Sequence, residues 1–176
     1  MRLHLSHECD AEIRTSTSEL KGVMCRLNFK LVGGADVVEL ELTSESDLFF
    51  NYIHRVTRDE YTEIFDKQRL TAQFESYAST LTKMIRSCMK DKSFRAVIFM
   101  THEKGTLHFI QTVEHKFLEL LQCRLRRASE FRIVDNITYR YNALKERVSH
   151  FAHHLKEIND ILETKDPELI RQRLHG

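Results

Sequence analysis

Between residues 22 and about 127 the apolar positions keep a period of two, with one helical interruption. Val23, Cys25, Leu27, Phe29 and Leu31 alternate with Met24, Arg26, Asn28 and Lys30, the pattern of a strand with one buried face. The stretch Gly33-Gly34-Ala35-Asp36 is expected to turn the chain tightly, glycine supplying a positive φ without a Cβ clash. Val38, Leu40 and Leu42 then alternate with Glu39, Glu41 and Thr43, so the pair predicts a hairpin with one wet face. A third strand is expected over residues 48–56, with Leu48, Phe50, Tyr52, His54 and Val56 on one side. Thr57 suits the N-cap of a short helix carrying Tyr61, Ile64 and Phe65, and Asp59 and Glu60 suit the positive end of its dipole. A second helix over residues 74–89 gathers Tyr77, Ala78, Leu81, Met84, Ile85 and Cys88 on one face. Strands resume over residues 95–102, 106–113 and 117–125, the first two joined by a turn at Glu103-Lys104-Gly105. Six strands with a helical pair inserted midway predict an α+β head over residues 1–128, a small β-sandwich or barrel covered on one side by helices.

From Ser129, read as the N-cap of a new helix, the period changes. Val134, Ile137, Tyr141, Leu144, Val148, Phe151, Leu155, Ile158 and Leu162 follow one another at spacings of three and four without exception. They occupy the a and d positions of a heptad repeat. A helix from about Glu130 to Lys165 is roughly 54 Å long at ~1.5 Å per residue. That exceeds the width of a small domain, so much of the stripe cannot fold back onto the head and needs another helix. Residues 129–166 are therefore read as a coiled-coil helix forming a homodimer, in preference to a helix curled over its own sheet. A parallel arrangement is favoured, although the e and g positions are not strongly charged and constrain orientation less than pairing. Pro167 ends the helix and leaves residues 167–176 as a short tail.

Composition narrows the partners. The chain of 176 residues carries 27 Lys and Arg against 26 Asp and Glu; a nucleic-acid coat or a polybasic membrane anchor needs a larger surplus, so neither nucleic acid nor membrane is an expected partner. Cys9, Cys25, Cys88 and Cys123 form no CxxC pair and read as buried reduced thiols of a cytosolic or nuclear protein. No apolar run approaches 18 residues and the first residues are no signal peptide, which predicts a soluble chain inside the cell.

Candidate chemistry is thin. His150 and His154 stand one helical turn apart, a spacing that can hold a metal, but no third ligand follows, and solvated helix histidines are the better reading. His4, His7 and Cys9 form a second loose group without a partner pair. Among phosphate-binding loops, nucleophile elbows and zinc-protease motifs none is present, so no catalytic residue, metal or cofactor is assigned and the chain is not read as an enzyme. Arg124, Arg126 and Arg127 make the densest basic patch, read as the solvated edge of the final strand.

The order and spacing of segments in the head resemble the spindle-assembly-abnormal family of centriolar cartwheel proteins. The resemblance runs from Val23-Met-Cys-Arg-Leu-Asn-Phe-Lys-Leu through Ala35-Asp-Val-Val-Glu-Leu-Glu-Leu-Thr. It is sharpest at Asp47-Leu-Phe-Phe-Asn-Tyr and the following Glu60, Tyr61, Gln68, Leu70, Phe74, Leu81 and Ile85. It resumes at Gly105-Thr-Leu-His-Phe-Ile-Gln-Thr-Val-Glu and at Lys116-Phe-Leu-Glu-Leu-Leu-Gln-Cys-Arg-Leu, with the coiled coil in the expected place after it.

The resemblance implies a structural scaffold. It would dimerise through its coiled coil and associate head to head into a higher homo-oligomer, building the cartwheel or an associated structure. The expected location is the cytoplasm and cytoskeleton, at a centriole, basal body or flagellar base, with other centriolar proteins as partners. In that family a hairpin tip inserts a bulky apolar residue into a neighbouring head, and two different two-fold contacts at an angle generate a ring. Here the hairpin is residues 106–113 and 117–125, and the head–head contact falls on Val113, Glu114, His115, Lys116 and Phe117. His115 stands where most members carry Phe, so Phe117 or Val113 is expected to take over the insertion, and association through His115 to be weaker. Residues 74–89 and 95–100 are the expected walls of the receiving pocket. The altered tip leans toward the shorter, coil-poor relatives of flagellated and apical-complex protists. The rival reading is the wider superfamily with the same head-and-stalk plan, the DNA end-joining repair scaffolds, against which the near-neutral charge counts.

Overall fold

A computed structural model describes residues 2–15, 22–101 and 103–165. The chain divides into two units, with the boundary after Ser129. The first contains β1 (Arg2–Thr15), β2 (Val23–Gly33), β3 (Val37–Ser44), β4 (Asn51–Thr57), α1 (Arg58–Gln68), α2 (Phe74–Lys90), β5 (Phe94–Met100), β6 (Lys104–Val113) and β7 (Lys116–Arg127). The second contains α3 (Glu130–Lys165). The expected tail of residues 167–176 and its Pro167 lie outside the described residues.

Seven strands close into a barrel in the order β1-β2-β3-β4-β7-β6-β5. Neighbours pair antiparallel except β1 and β5, which run parallel from Ala11↔Ala96 to Thr15↔Met100. Alternation turns Leu27, Phe29 and Leu31 of β2 and Val38, Leu40 and Leu42 of β3 into the interior, as a period of two requires. The inserted helices close the core: Tyr77, Leu81 and Ile85 on one face of α2 are wholly buried. Thr57 caps α1 through a capping box, its hydroxyl accepting from the Glu60 N–H while the Glu60 carboxylate accepts from the Thr57 N–H, which satisfies two otherwise orphaned donors. Arg58 ties the helices to the β2–β3 turn. Its guanidinium lies 5.0 Å from the centre of the Phe74 ring and donates to the Ala35 carbonyl and the Glu75 carboxylate.

Five sequence expectations change. The head has seven strands, not six, because residues 2–15 form β1. The expected third strand begins at Asn51 rather than at Leu48, since Asp47 and the residues after it turn: the Asp47 carbonyl accepts from the Phe50 N–H and its carboxylate from the Phe49 N–H. No described glycine has a positive φ; Gly33 instead makes room, since a Cβ there would stand 2.7 Å from His4 Nε2 and 3.2 Å from the Ala78 Cβ. The outer face of β3 is not uniformly wet, because Glu41 is buried and accepts from Asn51 Nδ2 at 3.2 Å. The strand expected over residues 95–102 ends at Met100, and His102 lies outside the described residues.

Candidate self-assembly surfaces

The β6–β7 hairpin reaches beyond the barrel. Its last pairs are Thr112↔Phe117 and Val113↔Lys116, so only Glu114 and His115 form the loop. Glu114 adopts φ 51°, the left-handed conformation that a two-residue hairpin loop demands of at least one central residue. The five residues expected at the tip are therefore together and exposed, with Val113, Lys116 and Phe117 already in strand.

Pairing decides which way they face. Opposed residues of an antiparallel pair share a face, so Phe117 stands with Thr112, whereas Val113, Lys116 and Leu118 occupy the other side. Phe117 is 71% exposed, more than any other large apolar side chain described in the head. Val113 and Leu118 are 46% and 52% exposed. The tip thus offers apolar surface on both faces, with the His115 imidazole at the apex. Leu118 was not singled out in the sequence; its signal is the register of the hairpin, which the chain pattern does not reveal. Further along, a bulge at Leu120, between Ile110↔Glu119 and Phe109↔Leu121, returns Leu121, Cys123 and Leu125 to the core.

Beside the hairpin the barrel is held at its narrowest joint. β4 and β7 pair only at Tyr52↔Arg127 and Ile53↔Arg126. Where the strands diverge, Gln68 at the end of α1 substitutes for a strand residue. Its Nε2 donates to the Gln122 carbonyl and its Oε1 accepts from the Gln122 N–H, both at 2.8 Å. Deeper in, His54 Nδ1 lies 2.9 Å from the Arg124 carbonyl and Nε2 2.9 Å from the Tyr77 hydroxyl. A carbonyl only accepts, so Nδ1 carries the proton and Tyr77 donates to Nε2. Burial pushes the His54 imidazole down to about 4, against the opposing pull of the Arg124 carbonyl. An opening of about 860 Å³ lies over this joint, lined by Arg55, Lys67, Arg124, Arg126 and Arg127 together with Glu60, Glu63 and Glu119. The basic patch of β7 is exposed, as expected.

Of the expected pocket walls, α2 spends its apolar face in the core. β5 contributes Phe99 and Met100 to a shallower opening of about 340 Å³, also lined by Arg14, Thr15, Gly105 and Thr106.

In α3 the nine heptad positions form one line. Eight of them, Val134, Tyr141, Leu144, Val148, Phe151, Leu155, Ile158 and Leu162, are between 49% and 66% exposed, and Ile137 is half-buried. His150 and His154 stack at 5.0 Å between ring centres, and His154 Nδ1 lies 3.2 Å from Glu157. Among the described residues no three His, Cys, Asp or Glu side chains converge on a metal position, and no helix is long and apolar enough to cross a membrane. All four cysteines are free. Burial pushes the Cys9 thiol up to about 11 and those of Cys88 and Cys123 up to about 12, so none of these three is a ready nucleophile.

Residues 3–125 match the family model described as the centriolar protein SAS N-terminal domain. The chain belongs to this family. Membership makes it one of a set of centriolar structural proteins. Solved structures share the fold. An N-terminal fragment of Leishmania SAS-6 containing parts of its coiled-coil domain superposes with a TM-score of 0.74 at 18% identity, over 97% of this chain and 99% of that one. The N-terminal coiled-coil dimer of C. elegans SAS-6 gives 0.72 at 10% identity, over 86% and 94%. A fragment of Drosophila melanogaster Sas-6, dimerised via its coiled-coil domain, gives 0.63 at 18%, over 98% and 83%. No curated protein matches the chain.

Proposed function

We propose that this SAS-family chain is a non-enzymatic scaffold that dimerises through α3 and associates again through its head, building a centriolar or basal-body cartwheel or a structure attached to one. The carrying observation is the apolar line of α3, of which eight positions lie open on a 36-residue helix. Leaving so much aliphatic and aromatic surface in water is costly, at about 25 cal/mol per Å² of apolar area, and a second copy in heptad register covers it. Coiled-coil dimerisation of the C. elegans and Drosophila relatives supports the same role here.

The second contact is the β6–β7 tip. A dimer grows further only when each copy carries a second, separate self-contact, and two two-fold contacts set at an angle close into a ring. Phe117, rather than His115, is the inserting side chain, because it brings the largest exposed apolar surface to the tip. The opening lined by Phe99 and Met100 is the candidate receiver. Sedimentation equilibrium of the whole chain tests both contacts. A dimer that grows into tetramers and beyond as concentration rises is expected, with Phe117→Asp arresting growth at the dimer and His115→Ala leaving it largely intact. A dimer that never grows removes the head contact.

A further inference from the structure

The carboxylates around the opening over the β4–β7 joint are already engaged. Glu60 accepts from the Thr57 N–H at 2.9 Å and from the Thr57 hydroxyl at 3.0 Å, Glu63 holds Lys67, and Glu119 lies 2.6 Å from His108 Nδ1. Glu39, opposite Arg55 on β3, is engaged as well. The cations are not matched in the same way. Among the described residues Arg55, Arg124 and Arg126 form no ion pair, and all three are exposed. They share the outer face of the sheet: Arg126 stands opposite Ile53 on β4, and Arg55 and Arg124 are each two residues further along their strands. On the other side Arg126 faces Lys104 of β6, and like charges directly opposite one another destabilise a ladder. The Thr57 contacts hold the Glu60 carboxyl below its usual range, and the fields of Arg126 and Arg55 lower it further. The head thus keeps a row of unneutralised cations on a chain whose charges otherwise nearly balance, 27 Lys and Arg against 26 Asp and Glu.

We propose that this face of β7 docks an acidic segment of another protein, an extended stretch with carboxylates on alternate residues. Charge and spacing together identify the occupant. Arg124 and Arg126 are about 7 Å apart along their strand, and carboxylates two residues apart on an extended peptide repeat at the same distance. Each guanidinium offers a planar fork that a carboxylate meets with two hydrogen bonds. The strand beneath them is fixed, since His54 holds the Arg124 carbonyl and Gln68 holds both backbone groups of Gln122. The opening of about 860 Å³ has room for a few side chains. A peptide can set its carboxylates on the arginines and neutral residues against Glu60, Glu63 and Glu119; the unbroken phosphates of a nucleic acid would meet those glutamates too. The contact uses neither Phe117 nor the α3 seam, so it goes beyond self-assembly and leaves both self-contacts available.

The full chain is titrated into a fluorescein-labelled twelve-residue peptide of alternating glutamate and threonine, and into its glutamine–threonine counterpart, with anisotropy read at low and high salt. The acidic peptide is expected to bind at least about tenfold tighter at low salt, the difference shrinking at high salt as screening grows; equal affinities overturn the proposal. Replacing both arginines, Arg124→Gln with Arg126→Gln, is expected to weaken the acidic peptide at least about tenfold. Lys83→Gln with Arg86→Gln removes the same charge from exposed positions of α2 and should change binding by no more than about twofold. Equal losses from the two pairs would mean attraction to net charge alone and overturn the site. Arg124→Lys with Arg126→Lys keeps the charge and removes the fork, so its binding should fall between the parent and the glutamine variant. If the glutamine variant does not fold, the lysine variant decides, and undiminished binding there overturns the proposal. Oligo-dT of twelve nucleotides that displaces the labelled peptide as well as unlabelled peptide does would make the face a nucleic-acid site, which also overturns it. Sedimentation of the glutamine variant should show the parent's self-association. Lost growth beyond the dimer would mean that the face receives a second copy, and the separate acidic partner would fall while the self-assembling scaffold stood.

Discussion

His54 shows how one buried polar side chain sets a condition on the whole head. It points inward from β4, is only 2% exposed, and holds the Tyr77 hydroxyl on one nitrogen and the Arg124 carbonyl on the other. A proton added to Nε2 would face a hydroxyl already committed as a donor, inside a medium that penalises charge, which is why its pKa falls to about 4. In the unfolded chain the imidazole titrates at an ordinary value near 6.5. The folded value is the lower of the two, so the unfolded state takes up the proton first. Stability is fully present above about pH 6.5 and is lost as pH falls toward 4, by on the order of 3 kcal/mol in total and about 2 kcal/mol by pH 5. Urea unfolding at pH 7 and pH 5 should show this loss, and His54→Gln should be less stable at pH 7 yet lose clearly less between the two. A wild-type head equally stable at both values contradicts it. The inward position of His54 was legible from strand alternation; its partners were not, because Tyr77 and Arg124 are 23 and 70 residues away.

At the scale of elements, local signals were readable and distant ones were not. The Thr57–Glu60 capping box needs only four consecutive residues, and the amphipathic face of α2 only its own turns, so both helices stand where the pattern put them. β1 failed to show because the side chains it buries include Cys9 and Ala11, too small to make an alternation stand out, and because a register shift between Leu3 and Leu5 breaks the period. The hairpin tip was located correctly in sequence, but its two-residue loop and the opposite facing of Phe117 and Leu118 follow from register, which only pairing supplies. Gln68 is the clearest case of a role set by distance, joining the end of α1 to a strand residue 54 positions on. Removing its amide leaves the Gln122 N–H and carbonyl without that partner at the joint where β4 and β7 share only two residue pairs. Gln68→Ala is expected to cost about 2 kcal/mol, roughly 1 kcal/mol for each hydrogen bond. The deciding readout is local: hydrogen exchange should accelerate at the Gln122 amide well before the amides of the β2–β3 ladder respond. Uniform acceleration across the barrel would mean that Gln68 only contributes to global stability and does not hold this joint.

For the whole molecule, the two units obey different laws of stability. The head buries its own apolar surface: seven strands close on themselves and α2 fills the interior, so its unfolding involves one chain and should not depend on concentration. α3 is otherwise. Eight seam residues lie open, and most helix stability in proteins comes from packing an amphipathic face rather than from propensity. A helix that owes its order to a partner follows mass action, so its melting temperature rises with protein concentration. Circular dichroism of the full chain should therefore show two transitions on heating. The first, helical one should move upward as concentration increases; the second, the head, should stay fixed. Val148→Asp places a carboxylate at an a position in mid-seam, where an unpaired charge would be buried between helices. It is expected to weaken pairing by at least about a hundredfold and to abolish the first transition at micromolar concentration, with the second unchanged. A single concentration-independent transition in both proteins would show that α3 holds its own order, and the seam would then lose its claim on a partner. Separate transitions would give the assembly a separable design, in which changes to the rod set how copies pair while the head keeps its fold and its Phe117 tip.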